Sequence, residues 1–137
     1  MWWIYALLSA VFAALTAIFA KIGIKGVNPD LATAVRTIVI LILAWCIVFY
    51  KGTQAGIGNL SKINWTFLIL SGCATGLSWI FYFRALQVGK VSLVAVVDKS
   101  SVAMTIILSV LFLGEPLTIR TAIAASLIIA GTLVLIL

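Results

Sequence analysis

Val91–Leu113 reads VSLVAVVDKSSVAMTIILSVLFL, an apolar run with Asp98 and Lys99 side by side inside it. A helix needs about 20 apolar residues to cross a hydrocarbon core of about 30 Å, and this run is long enough. Charged residues at membrane depth cost roughly 2.5–3.5 kcal/mol each on insertion scales, so they mark either a functional site or a pairing that assembly requires. Neighbours on a helix point about 100° apart, so the two charges are not expected to neutralise one another fully. Each is expected to find a partner on another helix.

The rest of the chain has the same character. Of its 137 residues 65% are hydrophobic and only 9% charged, against about a quarter charged in a soluble domain. The composition is that of an all-α integral membrane protein. Five spans are predicted, at about 2–20, 31–50, 65–86, 91–113 and 119–137, forming a single transmembrane domain over 1–137. The runs lack the two-residue alternation of a barrel, so the spans must be helical to satisfy their own backbone groups in lipid.

Local signals mark the ends. Trp2, Trp3 and Tyr5 suit the interfacial aromatic belt. Asn28-Pro29-Asp30 reads as a helix start, with Asn as cap, Pro at the first position and Asp on the positive end of the dipole. Asn64 and Ser92 are the expected caps of the third and fourth spans, and Glu115 is expected to stabilise the start of the fifth together with Arg120. Gly72 and Gly76 make a GxxxG, and Gly131 lies on a smooth stripe of the last span, so all three are expected at helix contacts. A cleaved leader is not expected, because MWWIYALLSAVF has neither a basic start nor a small-residue cleavage site.

Net charge is +6 with no histidine, which excludes imidazole proton relays and histidine metal sites. The excess Lys and Arg are read as topology signals and lipid-headgroup contacts, not as a nucleic-acid surface. Cys46 and Cys73 fall inside apolar runs and read as small packing residues. No nucleophile–base constellation, phosphate loop or metal cluster is present, so neither an enzyme nor a cofactor is expected.

With five spans, Lys51, Lys62 and Arg120 lie on one side, and Lys21, Lys25 and Lys90 on the other, with Arg36 and Arg84 just inside the membrane there. Orientation is set by an excess of loop Lys and Arg, and here the loops are balanced. That balance predicts either a weakly biased single orientation or insertion both ways up with antiparallel dimerisation. At about 1.5 Å per residue, Asp98 lies roughly 9 Å along its helix from Ser92, and Arg84 is at similar depth below the same short loop. Asp98 is therefore expected to pair with Arg84, or failing that with Arg36. Lys99, Trp79, Tyr82, Ser101 and Thr105 complete the candidate substrate- or ion-binding set. Asp98, Ser101, Thr105 and Ser109 share one helical face.

YFRALQVGKVSLVAVVDKSS followed by SVLFLGEPLTIRTAIAASLIIAGTLVLI resembles the EamA-type half of the drug/metabolite transporter superfamily. Tyr82, Ala85-Leu86, Leu113-Gly114-Glu115 and Gly131 stand where that pattern has its Tyr, AL, lGE and final Gly. Larger members have ten spans as two inverted halves. This chain resembles the five-span bacterial/archaeal group, whose DK it shares at Asp98-Lys99. The resemblance implies an inner-membrane, multi-pass secondary carrier of a small metabolite, acting by alternating access as an antiparallel homodimer or with a paralogue of opposite orientation. Ten-span members commonly have Pro in the middle of span four, where this chain has Asp98-Lys99-Ser100-Ser101, so their substrate contacts do not carry over. Four-span multidrug relatives use a Glu in span one, and this first span has no acid. The alternative reading is a structural or accessory subunit that packs on a partner membrane protein and moves nothing.

Overall fold

An apolar chain in lipid must pair its own backbone groups. The computed structural model, which describes Met1–Leu137, does so with helices and contains no strand. The helices are α1 (Trp2–Gly23), α2 (Pro29–Tyr50), α3 (Lys62–Val88), α4 (Val91–Asp98), α5 (Ser100–Leu113) and α6 (Ile119–Ile136). A short 3-10 helix, Thr53–Asn59, lies in the longest connection. Counting α4 and α5 together, five segments are long and apolar enough to cross a membrane, as expected.

The helix starts follow from local chemistry. Asn28 caps α2 as expected, its Oδ1 accepting from the backbone N–H of Asp30 at 2.8 Å and of Leu31 at 3.4 Å, with Pro29 beginning the helix. α3 begins one turn earlier than expected. Ser61, not Asn64, is its cap, its Oγ accepting from the Asn64 N–H at 3.1 Å. α4 starts at Val91 after Lys90 with no side-chain cap, so Ser92 does not serve as one. At α6 the cap is Thr118, and Thr121 returns the bond to form a capping box. The chain's two ion pairs are Arg84–Asp30 and Lys99–Asp98, so the expected Glu115–Arg120 pair does not form.

The fourth span is not one uninterrupted helix. At Lys99 (φ −67°, ψ −11°) the N–H is shared between the carbonyls of Ala95 and Val96, and Val102 donates to Lys99 three residues back, at 3.0 Å. This local tightening falls on the charged dipeptide. Such interruptions within α-helices mark hinges or strained sequence.

Two compact units make up the chain. In the first, Met1–Ala17 with Gly89–Leu137, α6 packs against both α5 and α4. Gly114, at φ +66°, ends α5 in the left-handed conformation that glycine adopts without penalty. Ala17, Ala103 and Thr132 are the buried residues of this unit, small side chains that permit close approach. In the second unit, Ile18–Val88, α2 packs against α3, and the buried residues are Ile24, Thr33, Phe83 and Leu86. Nearly all of each span is otherwise exposed on the single chain.

Candidate functional site

In the second unit, three aromatic residues of α3, Trp79, Tyr82 and Phe83, sit at i, i+3 and i+4 and so share one face. Trp79 and Phe83 lie 6.1 Å apart between ring centroids, and Trp79 and Tyr82 6.5 Å apart in an edge arrangement. Arg36 of α2 reaches this face. Its guanidinium carbon is 2.7 Å from the centre of the Trp79 ring and 5.7 Å from that of Phe83. A planar cation laid on an indole is held by the ring quadrupole, more strongly as water is removed. Thr33 and Thr37, on the same helix, turn their hydroxyls back to the carbonyls of Pro29 and Thr33, each at 2.8 Å.

Arg84 departs from expectation. Its Nη2 donates to both carboxylate oxygens of Asp30, at 3.1 and 3.2 Å. The acid that binds it is thus the one at the start of α2, not Asp98. Asp30 reads from sequence as a dipole complement only. The available signal was that Asp30 is the sole acid before Asp98, and an antiparallel α2–α3 pair brings the start of one helix to the end of the other. Around this pair, Lys21 donates to the carbonyl of Leu86, and the Gln87 amide donates to the carbonyl of Val27 at 2.6 Å. Ile24 and Leu86 are buried in the same unit, Leu86 fully. Lys21, Gln87 and Phe83 were not among the expected site residues.

In the first unit, Asp98 ends α4 and is half-buried, with Lys99 Nζ 3.7 Å from its Oδ2. The neighbours therefore pair with each other, loosely, instead of with Arg84 or Arg36 on another helix. Lysine's long flexible stem folds back across the tightened turn. At 3.7 Å the contact is an ion pair beyond hydrogen-bond distance. Ser101 and Thr105 follow on α5, and Thr105 Oγ1 donates to the carbonyl of Ser101 at 2.8 Å, a back-bond that occupies its proton. Gly72, Gly76 and Gly131 have no heavy atom within 4 Å of the place a Cβ would occupy, so the single chain makes no close approach at them.

The fold and these charged sites define a multi-pass α-helical membrane protein. Along residues 1–137 the chain matches the EamA-like transporter family, and it belongs to that family. It is 48% identical over 134 residues, 98% of this chain and 95% of the relative, to a Sinorhizobium protein named an uncharacterized transporter in the cobO 3' region. An uncharacterized protein of the archaeon Methanocaldococcus jannaschii is 35% identical over 132 residues, covering 96% and 93% of the two chains. No solved structure is significantly similar. The five-span reading and the family resemblance drawn from the sequence are thereby confirmed, and the chain is a membrane transporter by family.

Proposed function

We propose that this protein is a secondary carrier of a small metabolite in a prokaryotic inner (plasma) membrane, working by alternating access as an antiparallel homodimer. The observation that carries the reading is the interruption of the fourth span at its only two charges, Asp98 and Lys99. Secondary transporters seat substrates and coupling ions where spanning helices are broken near the midplane. The Asp98 carboxylate is half-buried, and its one ion-pair partner stands at 3.7 Å. A proton or cation competes with Lys99 for that carboxylate, and relief of the pair is the event that biases one conformation over another. No covalent step is involved.

The dimer rests on two supports. Ser101, Thr105, Gly72 and Gly76 are exposed on the single chain, and polar or small faces in lipid favour a helix partner. The loop cations are balanced across the membrane, which permits insertion both ways up.

The test uses protein reconstituted in sealed vesicles and screened for uptake of a labelled metabolite panel. Wild-type uptake that is lost in well-folded Asp98→Asn protein supports the carrier. Uptake undiminished in that variant reduces Asp98 to a structural residue, and absence of any wild-type flux favours the accessory-subunit reading. For the assembly, Lys25→Cys in a Cys46→Ser/Cys73→Ser background is labelled from both faces of the vesicle if both orientations insert. Strictly one-sided labelling overturns the antiparallel dimer.

A further inference from the structure

The second unit contains one acid, Asp30, and six cations: Lys21, Lys25, Arg36, Lys51, Lys62 and Arg84. Arg84 takes both oxygens of that acid. Arg36 lies seven residues past Pro29, about 10 Å into its span at 1.5 Å per residue. The unit holds no second acid to pair with it. The Arg36 guanidinium carbon lies over the Trp79 ring, with that of Phe83 farther off, and a guanidinium carries its five N–H donors around its edge. None of those donors hydrogen-bonds to the chain, although Tyr82 lies within electrostatic reach of the guanidinium. The neighbouring hydroxyls of Thr33 and Thr37 are committed to helix carbonyls and donate elsewhere.

A guanidinium seated on an aromatic ring with no hydrogen-bond partner still carries a planar fork of donors, the geometry that matches two oxygens of a carboxylate or phosphoryl group. Contact with Trp79 holds the guanidinium in place before any ligand arrives. A bound anion would also offset the cost of holding this charge at membrane depth. Asp98 and Lys99 together contribute no net charge, so the uncompensated charge at membrane depth among the candidate residues is that of Arg36.

We infer that Arg36, seated on Trp79, is an anion-binding residue, and that the carried metabolite is a small organic acid or phosphate ester held through two of its oxygens. The inference rests on the carrier reading for the word "carried". The binding itself does not depend on it. The same chemistry is offered by a free solute and by a phospholipid headgroup, and the experiment separates them.

Purified full-length protein, delipidated in maltoside micelles that contain no phosphate, is tested for equilibrium binding of radiolabelled benzoate and inorganic phosphate, with tetraethylammonium as the cationic control. Saturable binding of at least one anion and none of tetraethylammonium is expected. Arg36→Lys keeps the charge without the fork and is expected to weaken anion binding by about tenfold, and Arg36→Gln to abolish it. Helical content and a monodisperse elution profile establish folding, and Arg36→Lys carries the comparison if the glutamine variant does not fold. Three results overturn the inference: no saturable binding of either anion, anion binding unchanged in both variants, or Arg36-dependent binding of short-chain phosphatidylglycerol alone. The last makes Arg36 a lipid anchor. Vesicle uptake separates this inference from the carrier reading. Arg36-dependent anion binding without flux of any panel compound keeps the site and removes the carrier, whereas flux of cations alone keeps the carrier and removes the anion site.

Discussion

Arg84 and Asp30 are 54 positions apart in sequence and 3.1 Å apart in space, and the guanidinium spans both carboxylate oxygens. The pair joins the last turns of α3 to the first turn of α2, in the same unit as the buried Ile24 of the α1–α2 connection and the fully buried Leu86 of α3. It is half exposed on both sides, at 55% and 53% of the side-chain surface. That exposure decides its worth: solvated pairs contribute about 0.2–1 kcal/mol, far below the several kcal/mol at stake in a dry one.

Loss of either partner is therefore expected to be mild. Arg84→Ala and Asp30→Asn should each lower stability by about 1 kcal/mol or less, read as a small drop in the thermal midpoint in detergent. Their double variant should cost little more than either alone, because both remove one interaction. A loss of several kcal/mol would show that the pair is desolvated in the membrane-embedded protein.

Leu86 marks the opposite extreme. Leu86→Ala empties a site with no exposed surface and should cost about 2–5 kcal/mol. Leu70→Ala on the same helix removes a side chain that is 57% exposed and should be nearly neutral in lipid or detergent. Denaturant titration of the two variants side by side gives the contrast, and equal effects would contradict the burial pattern.

Thr118 bears on the last span. Its hydroxyl accepts from the Thr121 N–H at 3.2 Å while the Thr121 hydroxyl accepts from the Thr118 N–H at 3.1 Å. Thr118→Ala is expected to destabilise by about 1 kcal/mol, and Thr118→Ser to restore most of it. Hydrogen exchange at the first turn of α6 is the sensitive measurement, and unchanged protection there would refute the role.

Asp98→Asn keeps the side-chain shape and removes the charge facing Lys99. Folding is expected to survive, since the ion pair is loose at 3.7 Å and the two side chains are 39% and 59% exposed. Transport is expected to be abolished. Lys99→Gln should impair transport as well, and a milder combined variant would show that the two charges act as one switch.

What the sequence disclosed and what it withheld divide by range of interaction. The five apolar runs and the Asn28-Pro29 start were legible because they rest on hydropathy and on contacts three residues long. Ser61 and Thr118 escaped as caps because several hydroxyls and amides compete near each helix start, and only backbone geometry chooses between them. Of the candidate site, the residues of α3 could be placed on a common face from their spacing. Their partners could not. Pairing Arg84 with Asp30, or laying Arg36 on Trp79, requires the rotation of α2 against α3, which single-chain periodicity leaves open when a helix is apolar all round. The loose Asp98–Lys99 contact was missed for a different reason. An ideal helix would hold the two side chains farther apart, and the turn at Lys99 is tightened.

The seating of Arg36 on Trp79 has an optical consequence. A cation 2.7 Å from the centre of an indole ring perturbs its excited state through the same field that holds it there. With Trp2, Trp3, Trp45 and Trp65 replaced by phenylalanine, Trp79 becomes the only indole in the chain. Its emission wavelength then reports, in real time and without a label, whether the guanidinium is seated or has swung away, so the chain carries its own spectroscopic gauge of that contact.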